Sequence, residues 1–142
     1  MARIYIPDME TCTEAVKGFI NYELEEYFYI AVSCLKAGKS HEDTLSEYLD
    51  EVKEDVQYDI LFWLEEEGYL VPETHTRMVC GKNFGVRHRT REHLDLTDVP
   101  DELLEIETYV PEFRQMVEEY VIKAEKQLMM AKIEDVTEVA SR

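Results

Sequence analysis

Apolar residues recur at helical spacing along most of the chain, and the stretch from Val56 to Val71 is the most informative part of this pattern. It carries the only tryptophan, Trp63, in the apolar stripe of a helix. The stripe stops at Gly68, and the chain leaves as a short apolar run that is typical of a strand. We therefore expect the rest of the fold to pack around this helix and its exit.

The start of that helix is marked by Ser40-x-x-Asp43, which has the form of an N-terminal cap. The apolar stripe that follows is longer than in most globular helices, so a break near Asp50–Val52 is plausible. The pattern leaves open whether residues 40–67 form one helix or two.

An earlier helix is predicted from Thr11 to Leu35, with a capping box at Thr11-x-x-Glu14 and a stop at Gly38. Residues 3–6 precede it as an extended lead-in that is suited to an edge strand.

Downstream, two alternating runs, Thr74–Cys80 and Phe84–Arg91, predict a β-hairpin with its turn at Gly81–Asn83. A connector, a short helix through Leu103 and a long helix after Pro111 complete the chain.

The last helix has a broad apolar stripe that continues through Met129, Met130 and Ile133 before a frayed tail from Glu134. Such a stripe favours pairing with a second copy as a homodimer, and an intramolecular bundle is the equal alternative. The pattern as a whole predicts a mainly α fold with one small β-hairpin in a single domain, residues 1–142. Its parts are an N-terminal helix (1–38), helices plus hairpin (40–93) and C-terminal helices (94–142).

Charge changes this picture, because 32 acidic residues face only 15 basic ones and the formal net charge is −17. Residues 1–70 carry −12 and residues 94–142 carry −8, whereas residues 71–93 carry +3. Such a field repels phosphate and acidic membranes and attracts basic surfaces. No apolar run is long enough to span a bilayer, so we expect a cytoplasmic protein without a membrane partner.

Acidic and aromatic side chains are concentrated at two places that could contact a basic partner. One is a predicted face of the first helix, and the other is the end of the Trp63 helix, where the helix dipole opposes negative charge. The candidate partner-binding residues are Tyr22, Glu23, Glu25, Glu26 and Tyr29, together with Glu65, Glu66 and Glu67. The alternative is an ordinary solvated helix surface.

The hairpin is the basic part of the chain, through Arg77, Lys82, Arg87, Arg89 and Arg91. These cations either lie over the acidic helices and neutralise them within the fold, or contact phosphate themselves. The sequence leaves this choice open.

Signatures of catalysis are weak, and we predict no catalytic residue, metal or cofactor. His75, Cys80, His88 and His93 match no standard zinc spacing. Arg87-His88-x4-His93 resembles the R-x(4–6)-H motif of HEPN ribonucleases. That resemblance implies a phosphate-positioning Arg87 and an acid/base His93.

Residues 40–91 resemble a winged helix-turn-helix: a capped helix, a turn near Asp50–Val52, a helix over Lys53–Glu67, and a hairpin as the wing. The resemblance implies a dimeric transcriptional regulator. The chain departs from it because the second helix presents acidic and aromatic side chains where a DNA reader presents Arg, Lys or Asn: Glu54, Asp55, Gln57, Tyr58 and Asp59. The resemblance therefore implies DNA contact only through the basic wing.

The function that these observations favour is non-catalytic: an acidic interaction protein that binds a basic protein surface as a regulator or inhibitor. In composition it is similar to the DNA mimics with which phages block host defence enzymes, where carboxylates along helices imitate phosphates. A winged-helix regulator is the alternative, and a HEPN-like ribonuclease is the third hypothesis.

Overall fold

The computed structural model describes residues 3–71, 74–78, 87–91 and 94–140, and describes side chains for residues 3–71 and 94–133. Its described part is mainly helical with two small antiparallel β-pairs, which confirms the predicted fold class. The helices are α1 (Met9–Glu26), α2 (Phe28–Lys36), α3 (His41–Glu66), α4 (Asp101–Leu104), α5 (Ile106–Tyr109) and α6 (Phe113–Ala140). A 3₁₀ turn at Leu96–Asp98 precedes α4. The strands are β1 (Arg3–Ile4), β2 (Leu70–Val71), β3 (Thr74–Met78) and β4 (Arg87–Arg91).

Helix α3 is the centre of the core. Its apolar side chains at helical spacing are buried against α1, α2 and α6. They are Leu45, Tyr48, Val52, Val56, Ile60, Leu61 and Leu64. The Ser40 hydroxyl accepts from the Asp43 amide, as the sequence predicts. The helix is continuous through Asp50–Val52, which answers the open question in favour of one helix, and the turn that the winged-helix resemblance placed there is wrong.

The first predicted helix is two helices. It begins earlier than predicted, because the Asp8 carboxylate rather than Thr11 caps it and accepts from the Thr11 amide at 2.7 Å. It breaks at Tyr27, where no Gly or Pro marks the sequence. The break allows α1 to pack on α3 and α5 while α2 packs on α6 and α3.

The chain leaves α3 beside its own N-terminal strand. Strand β1 pairs with β2, Ile4 opposite Leu70, so the predicted lead-in strand and the predicted apolar exit of α3 are both strands, and their pairing was not predicted. Strands β3 and β4 pair from Thr74 opposite Arg91 to Met78 opposite Arg87, which confirms the hairpin. Its predicted turn at 81–83 lies outside the described residues.

The C-terminal helix α6 packs through Phe113, Val117, Val121 and Ala124. Its backbone stays helical to Ala140, past the point where fraying was expected. The apolar side chains beyond the core are exposed, including Met129, Met130 and Ile133. Pairing with a second copy stays a prediction for this end of the helix.

Two glycines end helices with positive φ: Gly38 at +86° and Gly68 at +78°. Substituting Ala at Gly38 is expected to lower the free energy of unfolding by about 1 kcal/mol, because an L residue is strained there. Gly18 is the matched control, since it lies inside α1 without positive φ and a Cβ has open space at both sites. Gly18→Ala should stabilise by about 0.5–1 kcal/mol. Urea unfolding measures both, and equal signs would contradict the assignment of Gly38.

Candidate functional site

Helices α1 and α3 lie antiparallel, and their contacts follow a simple register. Residues spaced four apart along α1 and its C-cap contact residues spaced four apart along α3, and the two series run in opposite directions. The pairs are Phe19 with Trp63, whose rings are 6.2 Å apart, Glu23 with Asp59, and Tyr27 with Asp55. A four-residue step keeps side chains on one face of a helix, so this register places polar and aromatic residues of both helices along one line.

Along this line the structure forms a pocket of about 380 Å³, which we call the α1–α3 pocket. Its walls contain four carboxylates and four aromatic rings: Glu23, Glu26, Asp55 and Asp59, with Tyr22, Tyr27, Tyr58 and Phe62. None of these described lining residues is basic. The pocket is therefore a concentration of negative charge beside aromatic faces, and the described part of its wall contains no cation to neutralise it.

Glu23 lies at the base of this cluster and is only 6% exposed. Its assignment to an exposed acidic face is therefore wrong, because α3 covers it. Burial, then the hydrogen bond to Asp59 and the neighbouring negative charges of Asp59, Asp55 and Glu26, raise its pKa to about 8. At neutral pH the buried Glu23–Asp59 pair consequently holds a proton.

Two carboxylate oxygens in the cluster lack donors. The Oδ2 atoms of Asp55 and Asp59 are wholly buried and have no hydrogen-bond partner. Burial also raises the pKa of Asp59, and a hydrogen bond to Asp55 raises the pKa of Tyr27. A buried acceptor without a donor is unfavourable by about 1–3 kcal/mol. An added hydrogen-bond donor would therefore stabilise the cluster.

Aromatic rings surround the open side of the pocket. Tyr22, Tyr58 and Phe62 are all exposed, although rings of this size are usually covered in a folded protein. Tyr58 and Phe62 are stacked with their ring centres 6.3 Å apart and an interplanar angle of 27°. They form a flat aromatic surface beside the carboxylates, and such a surface attracts cations.

The structure brings only some of the predicted partner-binding residues into this site. Tyr22, Glu23 and Glu26 line the pocket. Glu25 faces α6 instead, where it accepts a hydrogen bond of 2.7 Å from Tyr120. Tyr29 belongs to α2, where it is exposed.

The three glutamates at the end of α3 lie further along the molecule. Glu66 is exposed and seven residues beyond Asp59, which places it on the same face of α3 as the pocket. Glu67 is exposed and caps the helix, and Glu65 is half-buried. The acidic face therefore continues from the pocket toward Glu66.

The structure describes the backbone of the two strands of the predicted basic hairpin. Arg87, Arg89 and Arg91 occupy alternate positions of β4, opposite Met78, Thr76 and Thr74, and Arg77 pairs with His88. Lys82 and His93 lie outside the described residues. The choice between electrostatic closure and phosphate contact stays a prediction.

Aspartates and aromatics of α3 are what sequence reasoning missed: Asp55, Tyr58, Asp59 and Phe62. Asp55, Tyr58 and Asp59 stood out only as side chains unsuited to reading DNA, and Phe62 was not singled out. The signal that links α3 to α1 is the four-residue spacing that Glu23 and Tyr27 share with Asp55 and Asp59.

Within the described ranges, no group of three or more His, Cys, Asp or Glu is arranged to hold a metal ion. In the same part of the chain, no helix combines the length and apolarity needed to cross a bilayer. Comparison with protein families, curated proteins and solved structures finds no match to this chain.

Proposed function

We propose that the protein is a non-catalytic interaction protein that binds the basic surface of another protein through the α1–α3 face. The observation that carries this proposal is the α1–α3 pocket, where four carboxylates meet four aromatic rings and none of the described residues that line the wall is basic. Carboxylates attract a cationic partner over a distance, and exposed aromatics supply the contact area on which interface affinity depends.

Regulation or inhibition of a nucleic-acid-binding protein is the form of this function that the charge favours. The net charge of −17 raises the rate of encounter with basic surfaces. A cleft that normally holds nucleic acid is lined with Lys and Arg to neutralise phosphates. The negative field of this protein suits such a cleft for the same reason that it disfavours phosphate.

A charge-reversal experiment tests this location. The probes are polyarginine and polylysine peptides, with the dissociation constant measured by calorimetry at low and at physiological salt. Glu26→Lys reverses an exposed charge of the pocket wall, and we expect it to weaken binding by about fivefold or more at low salt. Binding to the unchanged protein should weaken as salt rises.

The matched control is Glu119→Lys, an exposed glutamate on α6 outside the pocket. It changes the net charge equally, and at physiological salt, where attraction beyond about 8 Å is largely screened, we expect an effect below about twofold and smaller than that of Glu26→Lys. Equal weakening by both variants would show that the peptides respond only to total charge. That result, or no binding at all, contradicts the proposal.

The other two hypotheses stay predictions with their own tests. A winged-helix regulator should shift duplex DNA at low salt, and a HEPN-like ribonuclease should cleave RNA in a reaction that His93→Ala abolishes. Light scattering tests the homodimer, which would bury Met129 and Met130.

A further inference from the structure

We propose that the α1–α3 pocket receives one arginine side chain of the basic partner, with its guanidinium between the two aspartates and the aromatic rings. This inference rests on the proposed function, because it names the group that the acidic face recognises. It commits to arginine, and lysine and metal ions are the alternatives that the geometry disfavours.

The size of the pocket favours a single side chain. A volume of about 380 Å³ is near the lower end of ligand pockets, which span roughly 300–1,000 Å³. A larger cavity of about 450 Å³ lies between α3 and α4–α5. Its wall also carries four carboxylates (Asp50, Asp101, Glu105 and Glu107), but it already contains a cation, Lys53, and its described residues include no exposed aromatic stack. The Gln57 amide there donates to the Leu104 carbonyl. The α1–α3 pocket is therefore the better site for an incoming positive group.

The hydrogen-bonding groups of the pocket fit a guanidinium. Asp55 and Asp59 are one turn apart on α3, which corresponds to about 5–6 Å between their Cβ atoms. Each has an Oδ2 without a donor, which is covered in the free protein, so the side chains over it must move aside for a guanidinium to reach it. A guanidinium carries five N–H donors in a planar fork and can serve two carboxylates at once, whereas an ammonium is a compact and strongly hydrated charge.

The aromatic groups support the same choice. Tyr58 and Phe62 stack at 27° and present a flat surface beside the aspartates. A planar guanidinium stacks on such rings while its edge binds carboxylates, and lysine cannot do both. A metal ion is disfavoured because the described residues offer no group of three ligands arranged around one point.

Entry of the cation changes the protonation of the cluster. Glu23 shares a proton with Asp59 in the free protein. The other titratable groups that line the pocket are Asp55, Glu26, Tyr22, Tyr27 and Tyr58. A guanidinium stabilises the ionised carboxylates, so arginine binding should release up to about one proton near neutral pH. Affinity for arginine should accordingly rise between about pH 6 and pH 8.

The test uses two basic peptides that are identical except that every arginine in one is lysine in the other. Calorimetry of the full chain near pH 7, in two buffers of different ionisation enthalpy, gives both the affinity and the protons released. We expect the arginine peptide to bind roughly tenfold more tightly and to release a proton. Asp59→Asn and Phe62→Ala should abolish the preference and leave the lysine peptide nearly unchanged. Glu23→Gln should abolish the proton release.

Tyr5→Ala is the matched control for Phe62→Ala, because both rings are 58% exposed and Tyr5 lies outside the pocket. It should retain the arginine preference. Circular dichroism verifies that each variant is folded.

If both peptides bind equally and Phe62→Ala changes nothing, the arginine pocket is refuted. The proposed function would then survive only if Glu26→Lys still weakens binding more than Glu119→Lys. If neither peptide binds, both proposals fail.

Discussion

Replacing Glu23 by Gln is expected to stabilise the protein by about 2 kcal/mol at pH 8. A pKa that rises from about 4.3 to about 8 sets a ceiling of about 5 kcal/mol, at about 1.4 kcal/mol per pKa unit, and solvent screening around the cluster lowers the gain below that ceiling. Glu23 is 6% exposed and faces Asp59 and Asp55, so its ionised form is disfavoured in the folded state. A neutral amide of the same shape avoids this repulsion. Most buried polar substitutions destabilise, so a gain would be a specific signature of the cluster.

The sign of the pH dependence follows from the direction of the shift. Burial and the neighbouring carboxylates raise the pKa of Glu23 to about 8 in the folded protein, compared with about 4.3 when unfolded. Between these values the folded state binds more protons, so the stability of the unchanged protein falls as pH rises from about 4.5 to about 8. Glu23→Gln should remove most of this slope.

Urea unfolding at several pH values measures both quantities. Glu119→Gln, an exposed glutamate on α6, is the control and should change stability by less than about 0.5 kcal/mol. The claim that Glu23 is buried against Asp59 would be contradicted by either of two results. One is a free energy of unfolding of the unchanged protein that does not vary with pH, and the other is a loss of stability at pH 8 on Glu23→Gln substitution.

Tyr48→Ala should lower the free energy of unfolding by about 4 kcal/mol, the largest effect that we predict for a single substitution. Tyr48 is completely buried in the first third of α3, and its hydroxyl donates to the Leu24 carbonyl near the end of α1. The substitution removes the ring from the core and also leaves that carbonyl without its donor.

Tyr48→Phe separates the two contributions. It keeps the ring and removes only the hydrogen bond, so we expect a loss of about 1–2 kcal/mol. Tyr22→Ala is the exposed control and should stay within about 0.5 kcal/mol. If Tyr48→Phe and Tyr48→Ala lowered the stability equally, the ring would not lie in the core as described.

Elements of the fold could be predicted from the sequence where a short, local pattern marks them. The Ser40 cap, the stop at Gly68 and the pairing partners of the hairpin follow from short patterns, and the structure confirms them. The break at Tyr27 could not be predicted, because no Gly or Pro causes it. The continuity of α3 through Asp50–Val52 reflects burial of Val52 in the core, which a cap or turn pattern does not encode.

The candidate site was predicted in two unconnected halves. Tyr22, Glu23 and Glu26 were assigned to a partner-binding face of α1, and the acidic residues of α3 counted only as an obstacle to DNA binding. Their juxtaposition depends on the antiparallel register of α1 and α3, which sets Glu23 opposite Asp59. A single helix pattern contains no information about that register, so the burial of Glu23 was not predicted.

The central claim is that a basic partner binds at the α1–α3 face, and mapping by amide NMR tests it most directly. On titration of the ¹⁵N-labelled protein with the arginine peptide, the account predicts the largest shifts at residues 22–27 and 55–62, and small shifts along α6. Shifts spread evenly over all acidic surfaces, or concentrated on α6, would contradict it.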